Sequence, residues 1–541
     1  MAKSYPLAKR ATRAHRPISI MTEALESRTL FSVSLVNGWT TVKPPAGTRI
    51  VYCSSSTGSD RNSGLSASAP VATISHAESL LQNHTGEQLL LKAGDTWYTN
   101  FGYWTLSGAS AQNPMVIGSY GSGARPTIDT GTSSGMVLGK SAATQVSYLD
   151  VLGLHFDSSG RDPALTSSPA GGTNVTGINA LSGTNITIEN CLFQDYTVNV
   201  NFQDYYGPVK NVSFRRNVDI DSYSTSSSFH SQGLYATGVS SLLIEGNVFD
   251  HDGWNASVSG AGATIYNHDC YLSSDNTSVV VDNNIFSQAS ATGLQDRPGG
   301  IVVNNVFIND AVDMTFGLVN GASTTVGGVS GVVVGNVFIG GANTGSTPQG
   351  IGLEIGNIRA HSGTLIANNI FSQGEAGAGP AMVLEAGIAQ SNPSGSVGIN
   401  DLMIVSNTFY SWTIGIDVAG GLTPGGTGLT ALNRVSFTNN QFENITKAAV
   451  ENGSASYLKQ ETWTGNQYQN SSGTGQGTTR STPIPFAAPS RSVATYDASI
   501  GGTGLLSDFI KRLRLESASS WSASLQAPAV VGYISAGFSQ T

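Results

Sequence analysis

The chain has 541 residues, 39% hydrophobic and only 11% charged, with 65 glycines and a net charge of −9. That hydrophobic share at low charge density excludes a disordered chain, and the absence of clustered Lys and Arg beyond the N-terminus excludes a nucleic-acid footprint. No run approaches the roughly 18 apolar residues of a membrane span.

Residues 1–16 carry Lys3, Lys9, Arg10, Arg13 and Arg16 and no acid, and Thr22, Glu23, Glu26 and Arg28 interrupt the apolar stretch that follows. Glu23-Ala-Leu-Glu-Ser-Arg-Thr-Leu-Phe-Ser32 resembles the Leu-Glu-Pro-Arg-type motif near the N-terminus of many exported bacterial proteins, with Ser27 in place of Pro. The resemblance implies that residues 1–33 are an export tail and that the protein is secreted or displayed on the cell surface. Residues 34–128 read as an N-terminal cap and first coils. Within them a strand from Val51, a Gly/Ser/Asp turn, a short helix around Ser75–Gln82 and a strand from Leu89 follow in order. This order resembles the opening of bacterial right-handed β-helix polysaccharide lyases and glycosidases, in which the helix caps the first coil. A cap is needed because a bare solenoid end exposes a strand edge and the apolar interior.

From 129 to 470 the chain repeats. Asn-x-aromatic recurs behind β-branched runs as Asn247-Val-Phe249, Asn284-Ile-Phe286, Asn305-Val-Phe307, Asn336-Val-Phe338, Asn369-Ile-Phe371, Asn407-Thr-Phe409 and Asn440-Gln-Phe442. Degenerate copies lie at Cys191-Leu-Phe193 and Leu154-His-Phe156. The aromatics are spaced from about 21 to about 38 residues apart, a constant core with variable loops. In parallel coils equivalent residues form columns, so an Asn column can bond along its length while a Phe column fills the tube. The expected fold is all-β, a right-handed parallel β-helix of about ten coils. Cys53, Cys191 and Cys270 are odd in number and far apart, which suits small buried residues better than a disulfide framework or a metal site.

Residues 471–489 read as a Gly/Ser/Pro linker. Residues 490–541 carry a helical stripe of Leu505, Leu506, Phe509, Ile510 and Leu513, and close on Val530–Phe538, similar to the C-terminal tails of exported β-helix proteins. Two readings stay open: a cover for the last coil, or a sorting segment.

Aligning the strand after each Asn-x-Phe turn gives Gly233-Leu-Tyr-Ala, Asp269-Cys-Tyr-Leu, Gly293-Leu-Gln-Asp, Asp313-Met-Thr-Phe and Gly352-Leu-Glu-Ile. Strict alternation turns Leu234, Cys270, Leu294, Met314 and Leu353 inward, and Asp269, Asp313, Tyr235, Tyr271, Gln295, Arg297 and Glu354 outward. His230, Asp252, Trp254 and His268 flank them in loops. Asp269 and Asp313 share a register two coil steps apart, roughly 9–10 Å at roughly 4.8 Å per step. Carboxylates so spaced suit an inverting hydrolase. On this reading Asp269, Asp313, His268, His230, Arg297 and Tyr271 are catalytic, and Tyr235, Trp254, Gln295, Asp252 and Glu354 bind substrate.

A lyase or epimerase would instead use His and Tyr. Arg297 is the only Lys or Arg from 217 to 358, so calcium is left open as a bridge to an acidic substrate. A non-catalytic, adhesive or glycan-binding solenoid would use the aromatics as stacking platforms. In each case the partner is a polysaccharide, with no membrane span and a monomeric chain.

Overall fold

The computed structural model describes residues 33–317, 325–342, 349–374, 379–385, 398–418, 432–452, 461–472 and 477–540. Three long parallel sheets wind around one core. Sheet 1 has 14 strands, from Ile50–Cys53 to Thr462–Thr464, and sheet 2 has 14, from Thr96–Tyr98 to Thr478–Arg480. Sheet 3 has 12, from Gly102–Trp104 to Ala448–Asn452. Within each sheet the strands stack in chain order, and each coil between the first and the last contributes one strand to each face: a right-handed parallel β-helix, with more coils than the ten expected.

The Asn-x-Phe motif builds the corner between sheets 1 and 2. The residue before each Asn is left-handed, as at Gly246 (φ 67°), Asn283 (φ 61°) and Asn304 (φ 56°), and a second left-handed column follows the strand at His251, Gln288 and Asn309. These positions favour Gly and Asn, which sets the turns that bound three-residue strands such as Ile285–Ser287. The Asn side chains form one continuous ladder. Asn284 Nδ2 donates to Asn305 Oδ1 at 3.0 Å, Asn305 to Asn336 at 3.0 Å and Asn336 to Asn369 at 3.0 Å, while each oxygen also accepts the backbone N–H of the preceding Asn. The ladder runs beyond the expected members, from Asn217 to Asn466. Behind it Phe249, Phe286, Phe307, Phe338, Phe371, Phe409 and Phe442 are fully buried and stacked, with centroids 4.5–5.1 Å apart.

Helix α1 (Ile74–Ser79) caps the first coil, placing Ile74 and Ala77 against Val51, Cys53 and Val71. It is shorter than predicted, because Leu80 already forms its C-cap. All three cysteines are buried and free. The expected linker contains a strand, Thr478–Arg480, paired with Gln467–Gln469.

The C-terminal segment covers a flank of the solenoid. Its helices α2 (Val493–Ser499), α3 (Leu506–Arg514) and α4 (Ala527–Gly537) bury Phe509, Ile510, Leu513, Val530 and Ile534 in one cluster with Val218, Val248, Ile285, Val306, Val337 and Ile370. Those aliphatics are the outward residues of sheet 2, so the helical stripe answers an apolar column that runs along the tube. Arg514 fastens the strap, bonding Asp221 at 2.7 Å and the buried Asp250.

Candidate functional site

The outer face of sheet 3 gathers the aromatic and polar candidates, with Tyr235, Tyr271 and Glu354 partly exposed and Gln295, Arg297 and His268 largely buried. Strands Gln232–Thr237, His268–Leu272, Thr292–Asp296, Val312–Phe316 and Ile351–Gly356 pair in register, aligning Tyr235, Tyr271, Gln295, Thr315 and Glu354 in one outward column. The same column continues toward the N-terminus through Asn201, Asn179, Val137 and Tyr103. Tyr235 and Tyr271 are half-buried, with centroids 5.1 Å apart. The Arg297 guanidinium lies over the Tyr271 ring at 4.6 Å, and the His268 ring is 5.3 Å from the same tyrosine.

Gln295 joins these groups. With its amide oriented to satisfy both ends, its nitrogen donates to His268 Nε2 at 2.8 Å and its oxygen accepts from Arg297 at 3.2 and 3.3 Å. His268 is 5% exposed, and burial, then Arg297, then His230, push its pKa down to about 3. The ring is therefore neutral. Because its Nε2 lone pair faces Gln295, the proton sits on Nδ1, a buried donor with no protein partner. This counts against His268 as the base of the lyase or epimerase reading, because the ring presents a donor. Burial raises the Tyr271 phenol above its ordinary range, with Arg297 pulling the other way.

Sequence reading overlooked Gln232, whose side-chain oxygen accepts the His268 backbone N–H at 2.9 Å and whose nitrogen donates to the Tyr266 carbonyl at 3.2 Å. It also overlooked Asn201 and Asn179, bonded at 2.7 Å on the adjoining coils. The signal was available, since both sites are register partners of candidate residues. His230 is exposed on the rim, 5.3 Å from the Tyr266 ring. Glu354 keeps its outward place, three coil steps from Tyr271.

Four candidates are not on this face. Asp269 and Asp313 are 0% exposed, which overturns their expected outward placement, and Asp252, expected in a flanking loop, is 0% exposed as well. The strand ladder pairs His268 with Thr292 and Cys270 with Leu294 but skips Asp269, so alternation breaks there. The position belongs to an interior column in which a Cβ on Gly352 would come 2.9 Å from the Phe371 ring and one on Gly415 2.8 Å from Phe442. A dyad at Asp269 and Asp313 cannot reach a substrate without opening the tube. Asp252 lies in the same corner, where its Oδ1 accepts the Ser222 N–H at 2.8 Å. Trp254 is held elsewhere: its indole N–H donates to the Gln288 carbonyl at 2.8 Å, and its ring lies 4.4 Å from His251, beside Asp221.

Among the described residues no group of three or more His, Cys, Asp or Glu is placed to hold a metal ion, and no helix is long and apolar enough to cross a membrane. A cleft of about 400 Å³ lined by Thr73, Trp97 and Tyr98 lies at the N-terminal coils, away from this face.

No protein-family model and no curated protein matches the sequence. Solved structures that are similar include a mannuronic acid specific polysaccharide family 6 lyase from human gut microbiota, at 16% identity and TM-score 0.43, covering 71% of this chain and 81% of that one. Another is XylC in complex with xylose, at 10% identity and TM-score 0.44, covering 82% and 88%. A third is the GH136 lacto-N-biosidase from Eubacterium ramulus, at 14% identity and TM-score 0.35, covering 77% of this chain. The chain spans 67% and 64% of the length of its two structures. At such identities and scores the likeness does not bear on what this chain does.

Proposed function

We propose that this β-helix acts on polysaccharide outside the cell, and that the outer face of sheet 3 binds an anionic glycan lying across the coils. The observation that carries the reading is the linked set His268–Gln295–Arg297 set against Tyr271 and Tyr235. Tyrosine rings offer apolar faces to sugar rings. The Arg297 guanidinium matches a carboxylate with a fixed fork of donors. The neutral His268 lies buried behind Gln295 and adds no competing charge to the set. Export rests on the motif at residues 23–32, which lies outside the described residues.

Elimination fits this set better than hydrolysis. Arg297 would pair with a uronate carboxylate and draw charge from the adjacent C5. The Tyr271 phenolate oxygen would take the C5 proton, the C4–O4 bond would break as the C4–C5 double bond forms, and the phenol would return its proton to the leaving O4. The paired-carboxylate alternative loses its support because Asp269 and Asp313 are sealed inside. Binding without catalysis is the second reading, favoured because burial raises the Tyr271 phenol and so works against the phenolate that elimination requires, while Arg297 works for it.

The test is a screen of uronate and neutral polysaccharides, read by reducing ends and by the absorbance of an unsaturated product. Elimination gives both signals on uronate polymers and loses both in Tyr271→Phe. Reducing ends alone would mean hydrolysis, and binding with neither signal would leave a recognition module. Failure to bind any polyuronate would defeat the proposal.

A further inference from the structure

The corner between sheets 2 and 3 holds aspartates that the glycan-facing surface does not use. Asp252, Asp269, Asp310 and Asp313 are all 0% exposed. They sit on neighbouring coils: the Asp252 N–H donates to Asp269 Oδ1 at 3.2 Å, and the Ala289 N–H donates to Asp310 Oδ1 at 2.8 Å. Oδ2 of Asp252, Asp269 and Asp310 and both oxygens of Asp313 make no hydrogen bond to protein. Glycines make the room. A Cβ on Gly233 would come 2.6 Å from Asp252 Oδ2, and one on Gly293 2.5 Å from Asp310 Oδ2. Each glycine therefore leaves a carboxyl space to lie against the next strand.

The charged groups that act on these four are other aspartates. Asp310, Asp252 and Asp250 face Asp269; Asp219 and Asp221 face Asp252; Asp250 faces Asp310; and Asp310 faces Asp313. Cys270, on the Asp269 strand, is a buried thiol. Arg514 and His251 approach from outside and are engaged by Asp221 and Asp250. Asn199, in the column of Asp269 and Asp313, donates to Asp219 at 2.5 Å and to Asp252 at 3.3 Å. Adjacent ionised carboxylates in a dry interior would repel and lack solvation, whereas a protonated carboxyl can donate to its neighbour.

We propose that Asp252, Asp269, Asp310 and Asp313 form a proton-sharing chain of carboxyl groups inside the tube, a pH-sensitive lock on the coils that carry His268 and Tyr271. A carboxylic O–H of one residue donates to a carboxyl oxygen of the next, and raising the pH removes the shared protons and forces the corner open. The lock does not rest on the glycan-binding proposal.

Burial and the neighbouring acids hold all four well above the ordinary carboxylate range. The folded state therefore keeps protons that the unfolded state releases. The stabilisation is fully present below the unfolded pKa of about 3.9 and is lost as pH rises through the raised values.

The test uses the full chain in two measurements. Infrared spectra at neutral pH should show a protonated-carboxyl C=O band that disappears on unfolding and weakens in Asp269→Asn/Asp313→Asn. Asn199 shows that the column accepts an amide. The thermal midpoint of that variant minus wild type should climb steadily as pH is raised from 4 to 9. Absence of the band in folded wild type at neutral pH would overturn the lock, as would a midpoint difference that does not change with pH. Should the double variant fail to fold, Asp313→Asn alone carries both measurements, with the same outcomes expected at smaller size.

Discussion

The Arg297 guanidinium carbon lies 4.6 Å from the centroid of the Tyr271 ring, on the outer face of sheet 3. Gln295 holds that guanidinium from one side and the His268 ring from the other. The cation is thus fixed in direction over an aromatic face, and its position depends on its fork geometry.

Arg297→Lys therefore should not be conservative. A lysine keeps the charge but loses the planar contacts with Gln295 and Tyr271. Polyuronate affinity should fall about tenfold or more in both Arg297→Lys and Arg297→Ala, equivalent to about 1.4 kcal/mol per factor of ten. Titration calorimetry checks this, and equal affinity in wild type and Arg297→Lys would remove Arg297 from recognition.

His268 gives a pH signature on stability. Its folded pKa is pushed down to about 3, whereas an unfolded histidine titrates near about 6.5. Between those values the unfolded chain binds the extra proton, so this group costs stability as pH falls from about 6.5 toward 3. His268→Gln removes the cost. The midpoint of the variant relative to wild type should improve across that window, and a constant difference would show that the imidazole titrates normally.

Phe307 stacks between Phe286 at 5.0 Å and Phe338 at 4.9 Å. Phe307→Ala should lower unfolding stability by roughly 3–5 kcal/mol, because the stacked coils collapse only partly into the gap. Denaturant unfolding measures it, and a cost below about 1 kcal/mol would contradict a filled column.

Arg514 pairs with both Asp221 and Asp250 and so ties the C-terminal strap to two coils. Asp250 is fully buried, so Arg514→Ala leaves its charge without that partner and should cost about 3–5 kcal/mol. Limited proteolysis should then cut within 481–540 faster than in wild type, with the solenoid left intact. An unchanged cleavage rate would mean that the strap is held without this ion pair.

The repeat was legible in the chain because stacking demands the same residue at the same place on every coil. Asn284, Asn305 and Asn336 are each two residues before a phenylalanine, and each lies in the ladder that spacing implies. The cap at Ile74–Ser79 and the outward pairing of Tyr235 and Tyr271 followed from equally local signals. Alternation alone decided the side on which Asp269 and Asp313 lay, and there it failed. The start of each sheet 3 strand bends at the corner, so one position in the strand turns inward out of phase with the rest. Its glycine partners Gly233, Gly293 and Gly352 were the trace of that bend, visible once the coils are in register. Only the folded tube reveals that Gln295 orients His268 as a donor, because the hydrogen bond joins neighbouring coils. The strap follows the same logic. Its apolar stripe is written in residues 506–513, with Leu505 left exposed at the N-cap, but the sheet 2 aliphatics it covers are drawn from many separate coils and meet in one column only when the chain is wound.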